Sequence, residues 1–174
     1  MTPTILPDDP AIHLWNRVEM AEVSKIAHLF QSVPVPVGVI AEQLGLEVLS
    51  VTLPTDVSGL IRRTSEGKYQ IEVNNTDVAV RQRFTVCHEI AHYLLHRSLI
   101  DLEGITDNIL YRSKLSNRQE AEANKLGAAI LLPWPTISQW HQSKYGIPPH
   151  KDNIDEIAAA FRTSSLAVGF RLGI

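Results

Sequence analysis

The segment from Val78 to His96 constrains the fold of this chain most, because it runs for nineteen positions without Gly or Pro. Such a stretch predicts one long α-helix. The helix would place His88, Glu89 and His92 among apolar residues. At about 100° per residue, the two histidines lie one turn apart on the same face, so both imidazoles can reach one ion. This is the H-E-x-x-H motif, whose carboxylate accepts a proton from a water on the metal.

The H-E-x-x-H motif is specific, because a shuffled chain of this composition would contain roughly 0.02 such matches. A catalytic zinc site usually needs a third protein ligand. The longer motif H-E-x-x-H-x-x-G-x-x-H would supply it, but the chain has Leu95 and Ser98 where that motif needs Gly and His. His96 lies about 12 Å from His88 along a straight helix, so it cannot share the ion. We interpret His96 as a helix-end histidine near the C-terminal helix dipole.

The third ligand is predicted on a later helix, from about Asn117 to Leu132, which is rich in small residues. Glu120 and Asn124 lie one turn apart on one face of this helix, whereas Glu122 points about 200° away from Glu120. We therefore favour Glu120 as the metal ligand and Asn124 as a hydrogen-bond partner of a ligand histidine. Glu122 is interpreted as a solvated charge, with a role as the ligand kept as the alternative. The predicted centre has two histidines, one glutamate and a water, and Zn²⁺ is the expected metal, although manganese or iron could occupy the same ligands.

Length and composition predict one compact domain over residues 1–174, with an extended arm at 1–13 and a helical tail at 153–174. The net charge of -3 offers no basic surplus for nucleic acid, so direct nucleic-acid binding is not expected. Cys87 is the only cysteine, which suits a reducing compartment. No signal-peptide pattern and no window of roughly 18 apolar residues is visible, so we expect a cytoplasmic protein with no membrane contact. Its oligomeric state does not follow from the sequence.

The remaining pattern predicts an α+β fold, mainly helical, with a small antiparallel sheet of about three strands beside the H-E-x-x-H helix. The predicted strands are Glu47 to Leu53, Gly59 to Arg63 and Lys68 to Asn74. Further helices are predicted at Leu14 to Phe30, in VGVIAEQLGL, and as two tail segments separated near Thr163. KYQIEVN is either an edge strand that an extended substrate could join or an ordinary strand without substrate contact.

Three segments in order resemble the ImmA/IrrE-type metallopeptidase family: IEVNNTDVAVRQRFTVCHEIAHYLLH, RQEAEANKLGAAILLP and IAAAFRTSSLAVGFRL. The resemblance covers nearly the whole chain after about residue 15. It implies a zinc-binding role for His88, His92 and Glu120, and a general-base role for Glu89. Members of this family resemble gluzincin proteases and cut helix-turn-helix repressors, thereby inducing mobile-element or stress genes. The resemblance thus implies a zinc endopeptidase with a repressor as its protein substrate.

Two alternatives remain beside the peptidase interpretation. The tail IDEIAAAFRTSSLAVGFRL resembles half of a helix-turn-helix unit, which would suit a DNA-binding regulator, but its charges are mixed and it has no basic recognition face. A second alternative keeps the metal site but has the protein bind a repressor, with weak or conditional proteolysis.

Several polar residues near the motifs are weaker candidates for a part in the chemistry. The possible oxyanion donors are Tyr93, Tyr111, His141 and Tyr145, each of which is better interpreted as a packing or surface residue. Cys87 stands where the family more commonly has Ala, and we interpret it as a small buried hydrophobic residue.

Overall fold

A computed structural model describes residues 9–100, 105–106 and 115–173 of the chain. Its helices are Ile12–Trp15 (α1), Met20–Ile26 (α2), Val37–Gln43 (α3), Ala79–His96 (α4), Asn117–Leu131 (α5), Trp134–Tyr145 (α6), Ile154–Phe161 (α7) and Ser165–Leu172 (α8). Its strands are Leu46–Val51 (β1), Gly59–Arg63 (β2), Tyr69–Asn74 (β3) and Ile105–Thr106 (β4). The predicted α+β, mainly helical fold is confirmed.

The sheet is mixed, which corrects the prediction of an antiparallel sheet. Its order is β1-β3-β2-β4, with β1 parallel to β3 and with β2 antiparallel to both β3 and β4. Ile71 of β3 lies beside Val48 of β1 and beside Ile61 of β2. A parallel pair needs a connection of a dozen residues or more. The segment between β1 and β3 is long enough because it contains β2, which pairs on the far side of β3.

Strand β3 contains most of KYQIEVN, and it lies between β1 and β2. Both of its edges are therefore occupied by neighbouring strands, so no substrate backbone can pair with it. Of the two interpretations of this segment, the edge strand for an extended substrate is wrong, and the sheet order agrees with an ordinary strand. The alternation of Tyr69, Ile71 and Val73 indicated a strand with two unlike faces, but such a pattern carries no information about strand order.

Helix α4 is an interior helix, with ten consecutive buried residues from Thr85 to Leu94. It packs against β2 and β3, and it also contacts α3 and α5. A surface helix would expose one polar face to water. Here the motif histidines and glutamate lie inside the protein instead. In the part of the chain that the structure describes, no helix has the combination of length and apolar character that a bilayer-spanning segment requires.

The N-terminal part is more broken than the sequence indicated. One helix was predicted from Leu14 to Phe30, but α1 ends at Trp15 and α2 begins only at Met20. The predicted extended arm also contains the start of α1, while residues 1–8 lie outside the described residues. The carboxylate of Asp9 is buried and pairs with Arg171 of α8 at 2.6 Å, which ties the start of the described chain to its last helix.

Helix α6 was not predicted, because two prolines interrupt the sequence where it begins. Pro133 is its N-cap residue, and Pro135 lies in its first turn. The first turn of a helix tolerates proline, because its backbone N–H groups have no partner inside the helix. Gly146 ends the helix in the left-handed conformation, with φ 71°. The prolines that end α5 therefore also begin α6.

Helices α4 and α5 are in close backbone contact at Gly127. A Cβ atom added at Gly127 would lie 3.0 Å from both the backbone N and the Cα of His88. Even alanine would therefore push against the backbone of a buried helix. The absence of a side chain at this position brings α5 against the part of α4 that carries the histidines.

We expect Gly127→Ala to destabilise the protein by about 1–3 kcal/mol, because the added methyl group overpacks the α4–α5 contact. Gly38 of α3 provides the matched control, since a Cβ atom there would meet nothing within 4 Å. Gly38→Ala should be neutral or stabilise the protein by up to about 1 kcal/mol, because alanine favours the helix. Denaturant unfolding of both variants measures the difference, and equal stabilities would refute the proposed tight contact.

Candidate metal centre

Helix α4 presents His88 and His92 one turn apart, with their Nε2 atoms 3.0 Å from each other. The exposed fraction of each side chain is at most 3%. Burial, together with the nearby His88 and His96, lowers the pKa of His92 to about 2. An imidazole with so low a pKa is neutral across the physiological range, and the neutral form is the one that binds metal ions.

Helix α5 supplies the third donor from its first turn. The helix begins with a capping box, in which the side chains of Ser116 and Gln119 each bond the backbone N–H of the other residue. Glu120 follows directly. Its Oε2 atom lies 3.6 Å from His88 Nε2, and its Oε1 atom lies 3.5 Å from His92 Nε2. The structure thus brings together the three residues that were predicted as ligands.

The donor atoms of the cluster have separations close to those around a tetrahedral metal ion. Among the described residues, His88, His92 and Glu120 form a group whose ligand atoms all lie within 4.8 Å of one another. Ligands about 2.0–2.1 Å from a tetrahedral ion are about 3.3 Å apart. The two Nε2 atoms lie 3.0 Å apart, and each lies near a different carboxylate oxygen of Glu120, at 3.6 Å for His88 and 3.5 Å for His92, so these separations lie around that value. The cluster therefore fits a divalent metal, and three protein ligands leave one position of a tetrahedral ion for water. Glu89, the residue after His88, is fully buried.

Asn124 supports His88 from α5. Its Oδ1 atom lies 3.0 Å from His88 Nδ1, one turn along α5 from Glu120. The amide oxygen can only accept, so Nδ1 of His88 carries the proton and Nε2 keeps its lone pair for the metal. This contact is the one that the spacing of Glu120 and Asn124 predicted.

His96 and Glu122 have partners that the sequence did not reveal. His96 is buried, with its Nδ1 atom 3.0 Å from His92 Nδ1 and its Nε2 atom 3.1 Å from Glu122 Oε2. Glu122 is not a solvated charge, because only 13% of its side chain is exposed. Hydrogen bonds from Arg17, His96 and Arg118 lower the pKa of Glu122 to about 2 despite partial burial. The sequence did contain a signal for the contact between His92 and His96, because these two residues have the same four-residue spacing as His88 and His92.

The other polar candidates are engaged elsewhere. The ring of Tyr93 packs edge-on against Tyr69, with ring centroids 5.1 Å apart. His141 is fully buried, and both of its ring nitrogens are hydrogen-bonded in the C-terminal third of the chain. The hydroxyl of Tyr145 bonds a carboxylate of α7. Tyr111 lies outside the described residues, and no oxyanion donor is identified among the other three.

Cys87 faces the core rather than the metal cluster. It is fully buried, and burial raises the pKa of its thiol to about 12. A thiol with so high a pKa stays protonated and is a poor nucleophile and a poor metal ligand. The interpretation of Cys87 as a small buried hydrophobic residue agrees with both observations.

An H-E-x-x-H helix packed against a second helix that carries a glutamate defines a metallopeptidase-type centre. The family model described as Peptidase_M78, IrrE N-terminal-like domain, matches residues 41–173. The chain belongs to this family, which confirms the resemblance inferred from its motifs.

The fold also occurs in a longer protein of known structure. A Mycobacterium tuberculosis transcriptional regulator is similar with a TM-score of 0.57 and 15% sequence identity. The similarity covers 88% of this chain but only 45% of the regulator, so the chain spans less than half of that protein's length. At this identity the likeness shows a shared fold. No curated protein matches the chain significantly.

Replacing Glu120 by glutamine tests its assignment as the third ligand. The amide keeps the shape of the side chain but is a much weaker metal ligand than the carboxylate. We expect Glu120→Gln to weaken zinc affinity by roughly 100-fold or more, since even outer partners of ligands contribute 10- to 100-fold. Glu42→Gln, on the exposed surface of α3, serves as the control. Competition with a chromophoric chelator measures both, and wild-type affinity in Glu120→Gln would remove Glu120 from the ligand set.

The reactivity of Cys87 tests whether α4 is closed around it. In the native protein at mildly alkaline pH, we expect an aromatic disulfide reagent to leave this thiol unmodified, because it is buried and protonated. In denaturant, one thiol per chain should react. Rapid labelling of the folded protein would show that this part of α4 is open to solvent.

Proposed function

We propose that this protein is a zinc-dependent endopeptidase that hydrolyses a peptide bond in a protein substrate with a metal-activated water. The observation that carries the proposal is the buried group of His88, His92 and Glu120 donor atoms, together with the fully buried Glu89 that follows His88 in the H-E-x-x-H motif. Membership of the Peptidase_M78 family supports the same reaction class. The α+β fold alone would not support a peptidase function, because one fold can host many functions.

Each residue has a separate role in the proposed hydrolysis. His88, His92 and Glu120 would hold the zinc, which when bound lowers the pKa of a water ligand toward about 7 and polarises the scissile carbonyl. Glu89 takes the proton from the attacking water and returns it to the leaving amine. Asn124 keeps the Nε2 lone pair of His88 directed at the cluster. No covalent intermediate with the protein is required.

For the substrate, we favour a helix-turn-helix repressor, cut in the cytoplasm. This choice is supported by the resemblance of the motifs to ImmA/IrrE-type peptidases, and it fits the name of the similar Mycobacterium tuberculosis protein, a transcriptional regulator. The protein would then act on transcription by removing a regulator and would not bind nucleic acid itself. The net charge of -3 agrees with a protein that does not itself bind nucleic acid, because it provides no excess of positive charge for phosphate groups.

Two variants separate proton transfer from metal binding. Glu89→Gln should keep zinc affinity near that of the wild type but lower the cleavage rate of a co-encoded repressor by roughly 100- to 10,000-fold, because the general base is lost. His88→Ala should lose both zinc and cleavage. Zinc content is measured by metal analysis of the purified variants, and cleavage by mass spectrometry of the repressor. Equal zinc loss in the two variants would contradict the separate roles.

A chelator distinguishes the peptidase from a repressor-binding regulator. Under the proposal, removing zinc stops cleavage, and adding zinc restores it. A repressor that is captured and inactivated without being cut, with or without the chelator, would favour regulation by binding. Tight DNA binding by this chain alone would instead favour the DNA-binding alternative, although α8 exposes the apolar Leu166 and Phe170 rather than basic side chains.

A further inference from the structure

The two histidines of the cluster have different outer partners. His88 contacts the neutral amide of Asn124 through Nδ1, at 3.0 Å. His92 contacts another imidazole, that of His96, also through Nδ1 and also at 3.0 Å. The second ring nitrogen of His96 then contacts the carboxylate of Glu122 at 3.1 Å. His92 is therefore linked through the ring of His96 to a carboxylate, whereas the Nδ1 partner of His88 is a neutral amide.

The direction of these hydrogen bonds follows from the acceptor at the far end. The Glu122 carboxylate accepts, so Nε2 of His96 donates to it. A neutral His96 then has a lone pair on Nδ1, which accepts from Nδ1–H of His92. With its proton on Nδ1, His92 has a lone pair on Nε2, the atom that faces His88 and Glu120. One consistent set of tautomers thus runs from the carboxylate to the metal cluster.

Two arginines hold the far end of this chain in place. The other carboxylate oxygen of Glu122, Oε1, pairs with Arg17 at 2.8 Å and with Arg118 at 2.9 Å. Arg17 lies between α1 and α2, while Arg118 lies one turn before Glu122 on α5. Both guanidinium groups bind Oε1, so Oε2 remains directed at His96. The side chain of His96 is only 4% exposed, which protects the contact from competition with water.

We infer that His96 and Glu122 are positioning residues that set the tautomer and the ring orientation of His92, and so preorganise it for the metal. This inference rests on the proposed metal centre. A histidine ligand usually donates its other N–H to a carboxylate, a carbonyl or a water. Here the imidazole of His96 lies between the carboxylate of Glu122 and the ligand His92, and it is hydrogen-bonded to both. His96 contributes to the centre without binding the ion.

Two substitutions at position 96 test the hydrogen bond itself. His96→Phe keeps a buried ring but offers neither acceptor nor donor, and it should weaken zinc affinity by about 10- to 100-fold. His96→Gln offers an amide oxygen to His92 and an amide N–H to Glu122, so it should restore affinity to within a few-fold of the wild type. Competition with a chromophoric chelator measures the affinity for zinc alone. Wild-type affinity in a folded His96→Phe variant would overturn the inference.

His141→Gln is the matched control, because His141 is also fully buried with two hydrogen-bonded ring nitrogens. It should cost stability without changing zinc affinity. Glu122→Gln removes the charge but keeps an acceptor, and its loss of affinity should be smaller than that of His96→Phe. If His141→Gln weakened zinc binding as much as His96→Phe did, the effect would reflect general loosening of the protein, and the inference would fail.

Nitrogen NMR of the zinc-loaded wild-type protein tests the tautomers without any substitution. His92 should carry its proton on Nδ1, and His96 should carry its proton on Nε2. A proton on Nδ1 of His96, or on both of its nitrogens, would overturn the inference even if the variants failed to fold. Absence of zinc binding in the wild type would overturn this inference and the metal centre together. Zinc binding with the predicted tautomers but without cleavage would refute only the peptidase proposal.

Discussion

The contact between α4 and α5 at Gly127 determines where every donor of the candidate centre lies. Gly127 faces the backbone of His88, while Glu122 further back on α5 reaches His96 further along α4, so the two helices run antiparallel. In this arrangement Glu120 lies opposite the gap between His88 and His92. A side chain at position 127 would separate the helices by a few tenths of an ångström or more, a distance that matters because metal–ligand bonds tolerate about 0.2 Å.

Burying several ionisable groups in one core is costly unless each is neutral or hydrogen-bonded. The protein meets this requirement differently at each position. His92 remains neutral because burial lowers its pKa, and its outer nitrogen has a hydrogen-bond partner. Glu122 remains charged, but arginines and His96 surround it at the edge of the core. The charged member of this network, Glu122, thus lies near solvent, and the neutral member, His92, lies deepest. This arrangement is favourable because removing a charge from water costs more free energy than removing a neutral group.

Local periodicity was enough to predict α4, α5 and the group of donors, because helix geometry alone places residues four apart on one face. It also predicted the Asn124 contact. Periodicity could not predict that β3 lies inside the sheet or that it runs parallel to β1. The order and direction of strands depend on how the chain between them is connected, and alternation within one strand does not report this. Nor could periodicity predict α6, because the prolines that end α5 also occupy the N-cap and the first turn of α6. The angular position of Glu122 on α5 shows that it points away from Glu120, but it does not show what Glu122 contacts on another helix. Its partner is His96, which lies one turn beyond His92 on α4.

The two histidines of the candidate centre have outer partners that differ in exposure. On the His92 side, His96 is buried and Glu122 nearly so, and both are held by hydrogen bonds. On the His88 side, Asn124 is solvent-exposed and, together with Phe84, lines a cavity of about 890 Å³ whose lining includes none of the three candidate ligands. The buried, hydrogen-bonded support of His92 meets one demand of a metal site, a fixed ligand geometry, whereas the support of His88 comes from a residue at the protein surface. The arrangement follows from the sequence of α5, in which Glu122 and Asn124 flank the same buried Ala123 and reach opposite ends of the histidine pair.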